Sequence, residues 1–179
     1  MGVHAGTTYL LPQFLNSALN VSDDAYGGSA ENRARIVLEM LERLTGDWAP
    51  GRIGIKISPA IAMGRFTPTE QAVATYDYLV GRLNRLPPSH LQVAKASNDL
   101  ATTPVAVLQD TVGYFRERFE GPLIANFGFN KASANSAIES GEADLVSFGK
   151  PFIGNPDLVR RLREDLPLGE SMPETYDQG

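Results

Sequence analysis

The sequence predicts an α/β fold in which a parallel sheet is built from successive βα units. Three observations carry that prediction. Short apolar runs of strand type alternate with longer segments of helical period. The segments between the strands are long enough to be crossovers, which parallel pairing requires. Gly, Pro, Asn and Asp punctuate the junctions.

A chain of 179 residues is long enough for one domain with a real core. Hydrophobic residues make up 42% and charged residues 21%, as in ordinary globular proteins. The net charge of -5, with no run of Lys or Arg, argues against a nucleic-acid partner. The absence of cysteine excludes disulfides, thiolate metal sites and cysteine nucleophiles. Only two histidines occur, His4 and His90, far apart in the chain, so no metal centre is expected. There is no leader-like segment and no apolar run long enough to span a bilayer. The expectation is a cytoplasmic protein without a membrane partner.

Val3-His4-Ala5-Gly6-Thr7-Thr8-Tyr9 gathers an imidazole, two hydroxyls and a phenol near the start of the chain. This spacing puts His4 and Tyr9 on no common helix face, so the stretch reads as a loop at a sheet rim. Such a loop can aim a hydrogen-bond donor and a proton donor at one point. The plain alternative is a loop with a capping His and a packed Tyr.

Residues 16–28 are rich in turn formers and read as a loop. Ser29 caps a helix whose apolar stripe is Ile36, Val37, Met40, Leu41 and Leu44, with Gly46 as its stop. Arg52 to Ser58 reads as a strand closed by Pro59. Thr67-Pro68-Thr69-Glu70 reads as a capping box with Pro at the first helical position. That helix runs towards Arg85 and ends before Pro87-Pro88. Leu91 to Ala94 is a brief strand. Thr103-Pro104 opens a helix with Leu108, Val112, Phe115 and Phe119 on one side. Pro122 to Phe127 is a strand, Lys131 to Ser140 a helix, and Asp144 to Phe148 a strand. Asn155-Pro156-Asp157 caps a last helix, Leu158 to Glu164. The tail, 166–179, reads as irregular.

No glycine-rich dinucleotide fingerprint or Walker loop is present, which disfavours a nucleotide-binding Rossmann domain. A (β/α)8 barrel uses the same alternation but needs eight strands, and about four are legible here. In barrels the chemistry sits at the C-terminal ends of the strands, and phosphate often binds after the last two. The last two strands here end in Asn126-Phe127-Gly128 and Ser147-Phe148-Gly149-Lys150. Both ends offer backbone N–H groups, and Lys150 adds a positive charge. The plain alternative is a pair of ordinary turns with Lys150 solvated.

Four stretches together resemble one family. They are His4 to Leu15, Asp24 to Arg35, Gly54 to Pro59, and Ala143 to Leu158. In order and spacing they resemble the C-terminal half of the old yellow enzymes, flavin-dependent ene reductases, from His4 to about Tyr176. The resemblance implies a partial TIM (β/α)8 barrel, roughly its second half with about four βα units, occupying 1–179. It implies FMN as cofactor and NAD(P)H as reductant. The implied reaction is reduction of the C=C bond of an α,β-unsaturated carbonyl compound. By position Tyr9 matches the proton donor and His4 the first carbonyl donor. Thr7 stands where the family has a second donor, usually Asn or His. Lys56 and Lys150 replace arginines at the flavin ring and at its phosphate. Ala125, Asn126, Phe127 and Gly149 match the phosphate loop. The resemblance also implies a preceding half, or a second chain, to complete the barrel. The alternative is a non-catalytic truncated half-barrel that serves as an interaction or ligand-binding module.

Overall fold

The computed structural model describes residues 1–49, 51–86 and 88–173. Among them, five strands form one sheet: β1 (Gly2–Ala5), β2 (Gly54–Ile57), β3 (Leu91–Ala94), β4 (Leu123–Asn126) and β5 (Leu145–Ser147). They lie side by side in sequence order, and every neighbouring pair is parallel. A doubly wound sheet reverses its strand order at a switch point. This one never reverses, so right-handed crossovers return all helices to the same side.

The burial of the strands agrees. Val3, Ala5, Ile55, Ile57, Leu91, Val93, Leu123 and Ala125 are buried beneath the helices in one continuous core. Their strand neighbours point the other way. In register across the sheet lie His4, Lys56, Gln92, Ile124 and Leu145, with Asn126 and Ser147 one step further along. These residues are half-buried or exposed. The sheet therefore has an apolar face under helices and a more polar, open face. Helices outside and an open inner face make the architecture a partial (β/α)8 barrel.

The helices are α1 (Leu10–Leu15), α2 (Ala30–Asp47), α3 (Glu70–Leu83), α4 (Thr111–Arg116), α5 (Lys131–Glu139), α6 (Lys150–Gly154) and α7 (Leu158–Glu164). Ser29 caps α2 as expected, accepting from the Asn32 N–H at 3.2 Å. Helices α5 and α7 also fall where the sequence places them. Gly46 does not stop α2, which continues to Asp47.

Four local expectations change. Gly2 to Ala5 joins the sheet as a strand beyond the four legible in the sequence, giving a fifth βα unit. Leu10 to Leu15, given no element between the two expected loops, is a helix, because Leu11 and Leu15 turn into the core. The cap of α3 is Thr69, whose hydroxyl accepts from the Ala72 N–H at 3.0 Å, so Pro68 lies outside the helix. The helix expected from Thr103 is split into a 3-10 turn, Ala106–Leu108, and α4, which Asp110 caps. Leu108, Val112, Phe115 and Phe119 are nonetheless all buried, so the apolar stripe survives the break.

At the end, Asp157 makes no cap bond and instead pairs with Arg161 at 2.6 Å. The segment beyond α7 returns to α6. There the buried Asn155 amide accepts from the Gly169 N–H at 2.7 Å and donates to the Gly169 carbonyl at 3.0 Å. The rest of the expected irregular tail, 174–179, lies outside the described residues. His90 is half-buried, its ring occupying the space that a Cβ on Gly54 would need.

Candidate active site

Parallel strands in sequence order bring all their C-terminal ends to one rim. His4 sits near the end of β1, directly opposite Lys56 on β2. After Ala5 the chain turns sharply. The Gly6 N–H donates to His4 Nδ1 at 3.0 Å. Thr8 takes a left-handed backbone with φ 76°. That turn brings Tyr9 back over the imidazole, with ring centroids 4.5 Å apart and planes tilted by 45°. Tyr9 then stands at the head of α1, and its ring remains largely exposed. The Thr7 hydroxyl donates to the Ser58 carbonyl at 3.5 Å, the outer limit of a hydrogen bond. Thr7 thereby ties this turn to the loop after β2.

Lys56 is half-buried on the open face. Among the described residues no carboxylate pairs with it. Burial holds its ammonium below the ordinary lysine value. His4 is also held below its ordinary value, first by burial and then by the Lys56 charge. Near neutral pH the ring is therefore neutral.

At the other end of the rim, the Asn126 amide donates to the Ser147 hydroxyl at 2.9 Å and to the Ser147 carbonyl at 3.2 Å. Gln92 also donates to the Ser147 hydroxyl, at 2.8 Å. Phe127 and Gly128 follow with φ of 77° and 74°. Such a backbone is strained at a non-glycine residue, and strain of this kind gathers at functional sites. Gly149 heads α6, which begins with Lys150.

Lys56, Asn126, Phe127, Gly149 and Lys150 line one cleft of about 410 Å³, walled also by Phe129 and Phe148. The structure thus gathers five of the residues expected to contact a cofactor. Ala125 lies beneath them, its side chain fully buried in the core. His4, Thr7 and Tyr9 are not in the cleft lining. They stand beside it, joined through Lys56, which faces both. A larger cavity, of about 540 Å³, lies between the loops after β2 and β3 and contains none of these residues.

Gln92 and Ser147 are part of this surface but were not singled out from the sequence. The alternation Leu91-Gln92-Val93 is the signal that could have found Gln92, since it puts the amide opposite the buried side chains. Among the described residues no cluster of His, Asp and Glu is placed to hold a metal ion. No described helix is long and apolar enough to cross a membrane.

Residues 1–169 match the NADH:flavin oxidoreductase / NADH oxidase family. Among curated relatives, a putative 12-oxophytodienoate reductase 3 of Oryza sativa is 32% identical over 176 residues, 97% of this chain and 45% of its own. The 12-oxophytodienoate reductase 2 of Arabidopsis thaliana is 31% identical, over 97% of this chain and 46% of its own. Among solved structures, morphinone reductase superposes with a TM-score of 0.88 at 34% identity, covering 99% of this chain and 47% of its own. The old yellow enzyme homologue from Zymomonas mobilis gives 0.87 at 31%, covering 98% and 49%. The chain spans about half the length of the curated relatives it matches. On its fold, its rim and this match, the chain belongs to the NADH:flavin oxidoreductase / NADH oxidase family.

Proposed function

We propose that this chain serves FMN-dependent, NAD(P)H-driven reduction of the C=C bond of α,β-unsaturated carbonyl compounds. The supporting observation is that Lys56 lies in register with His4 and also lines the cleft that holds Lys150. One rim thereby joins a carbonyl-binding end to an anion-binding end.

The chemistry of the cleft fits FMN. Two lysines without carboxylate partners among the described residues face a space of about 410 Å³. Ligand sites typically measure about 300–1,000 Å³. Lys150 and the turns at Phe127 and Gly149 are suited to the phosphate, and Ala125 and Asn126 shape the floor. Lys56 is suited to the ring, where its charge offsets negative charge on the reduced cofactor. When bound, FMN supplies hydride taken from NAD(P)H to the β-carbon of the alkene.

The chain's own groups do the rest. His4 donates from Nε2 to the carbonyl oxygen and draws electron density from the alkene. Thr7 makes a second contact, since its bond to Ser58 is long enough to be exchanged for one to substrate. Tyr9 gives its phenolic proton to the α-carbon. The reading includes a complementary half, on the same or a second chain, along the outer edges of β1 and β5.

The test begins with titration of the chain by FMN, followed by flavin fluorescence. NADPH should bleach the bound flavin, and 2-cyclohexenone should restore its colour. Tyr9→Phe should slow the second step about a hundredfold, the scale of a lost general acid, with the first nearly unchanged. Equal loss of both steps would remove Tyr9 as the proton donor. A chain that takes up no FMN, alone or with its complementary half, would instead be a non-catalytic ligand-binding module.

A further inference from the structure

We propose that the Gly6 backbone amide is a positioning group that locks His4 in the Nε2–H tautomer, leaving Nε2 as the ring's single donor towards the open face. The Gly6 N–H reaches Nδ1 at 3.0 Å. An N–H can donate only to a lone pair, so Nδ1 is bare and the one proton of the neutral ring is on Nε2. A ring protonated at Nδ1, or on both nitrogens, would set proton against proton at this contact.

Among the described residues, two groups that titrate or carry charge face the ring. Lys56 stands opposite it on β2, and the Tyr9 ring lies against it from the head of α1. The ammonium adds to the cost of a cationic imidazole, in the direction in which His4 is shifted. The turn itself, Gly6 to Thr8, brings no charge.

The identity of residue 6 follows from the same contact. A Cβ there would lie 2.7 Å from His4 Cε1 and 2.9 Å from the Ser58 hydroxyl. Any residue but glycine pushes the imidazole off its amide. Gly6 thus acts twice, by its N–H and by its missing side chain. The part played at a substrate carbonyl rests on the function proposed above, whereas the tautomer rests on the contact alone.

The two can be tested apart. The chain has only two histidines, so a 15N-labelled sample without added ligand gives two imidazole patterns. His90→Gln assigns them. His4 should show a single tautomer with Nδ1 unprotonated, and should titrate below the ordinary value of 6.5. The Gly6 amide proton should shift through that same midpoint as its acceptor is lost. In Gly6→Ala the midpoint should move back towards the ordinary value and the tautomers should mix. A protonated Nδ1 at neutral pH, or a Gly6 amide silent through the His4 titration, would overturn the proposal in the parent chain alone. If the spectra hold but flavin and alkene assays fail, the functional reading falls and the tautomer stands.

Discussion

Thr8 is the most demanding single residue on the rim. A β-branched side chain at φ 76° is an outlier, because its Cβ crowds the backbone there. That conformation costs about 1–2 kcal/mol. Thr8→Gly relieves the strain but gives the unfolded chain more freedom, worth about 0.4–1 kcal/mol. The net expectation is a gain of roughly 0.5 kcal/mol, read from the urea midpoint. A clear loss would mean that the Thr8 side chain holds the turn. This is also where the sequence was most and least informative. His4, Tyr9 and Lys150 stand out by residue type and place. The left-handed turn that closes Tyr9 onto His4 does not, since threonine is a poor advertisement for positive φ. Gln92 was missed because one amide inside a four-residue strand looks like filler until its register with Lys56 is known.

Among the elements, α2 depends on a buried cation. Arg33 donates from Nε to the Thr75 hydroxyl at 2.8 Å and from Nη2 to the Gln71 carbonyl at 2.8 Å. It also donates to the Gly28 carbonyl. One guanidinium thus pins the loop before α2 and the first turns of α3 together. Arg33→Met keeps the apolar stem but leaves those acceptors dry, and about 3 kcal/mol of stability should be lost in chemical denaturation. Arg33→Lys should rescue little of it, because a point charge cannot reproduce the planar fork. A loss under 1 kcal/mol in Arg33→Met would show that water replaces the guanidinium. Elements with both a cap and a long stripe, such as α2, were legible in the sequence. Helix α1 was not, because six residues with no side-chain cap are too few to show a helical period, and strand β1 was not, because its four residues run straight into the turn from Gly6 to Tyr9. The break before α4 was hidden because its apolar residues continue across it, and only Asp110 marks the new start.

For the molecule as a whole, both histidines are shifted the same way. Burial comes first for each, followed by Lys56 for His4 and the amino terminus for His90. Their pKa values are lower when folded, so the unfolded chain binds more protons as pH falls below 6.5. Stability contributed by the neutral rings is complete above that value and declines as pH drops through the folded pKa values. The urea midpoint should therefore fall on acidification through this window, before the carboxylates titrate. The double variant His4→Gln, His90→Gln should flatten the slope. A slope unchanged in that variant would assign the acid sensitivity to other groups. At this scale the alternation of strands and helices was readable from the start. What decided between a doubly wound sheet and a barrel arc was the strand order, a relation between distant segments that no local pattern encodes.

The placing of Lys56 on β2 has a mechanical corollary. Strand side chains alternate, so sliding β2 by one residue against β1 would bury the ammonium and turn Ile55 or Ile57 outwards. The same slip would remove the partner opposite His4 and the near wall of the cleft together. Both ends of the rim are therefore geared to one ladder of backbone bonds, and neither can drift without disengaging the other.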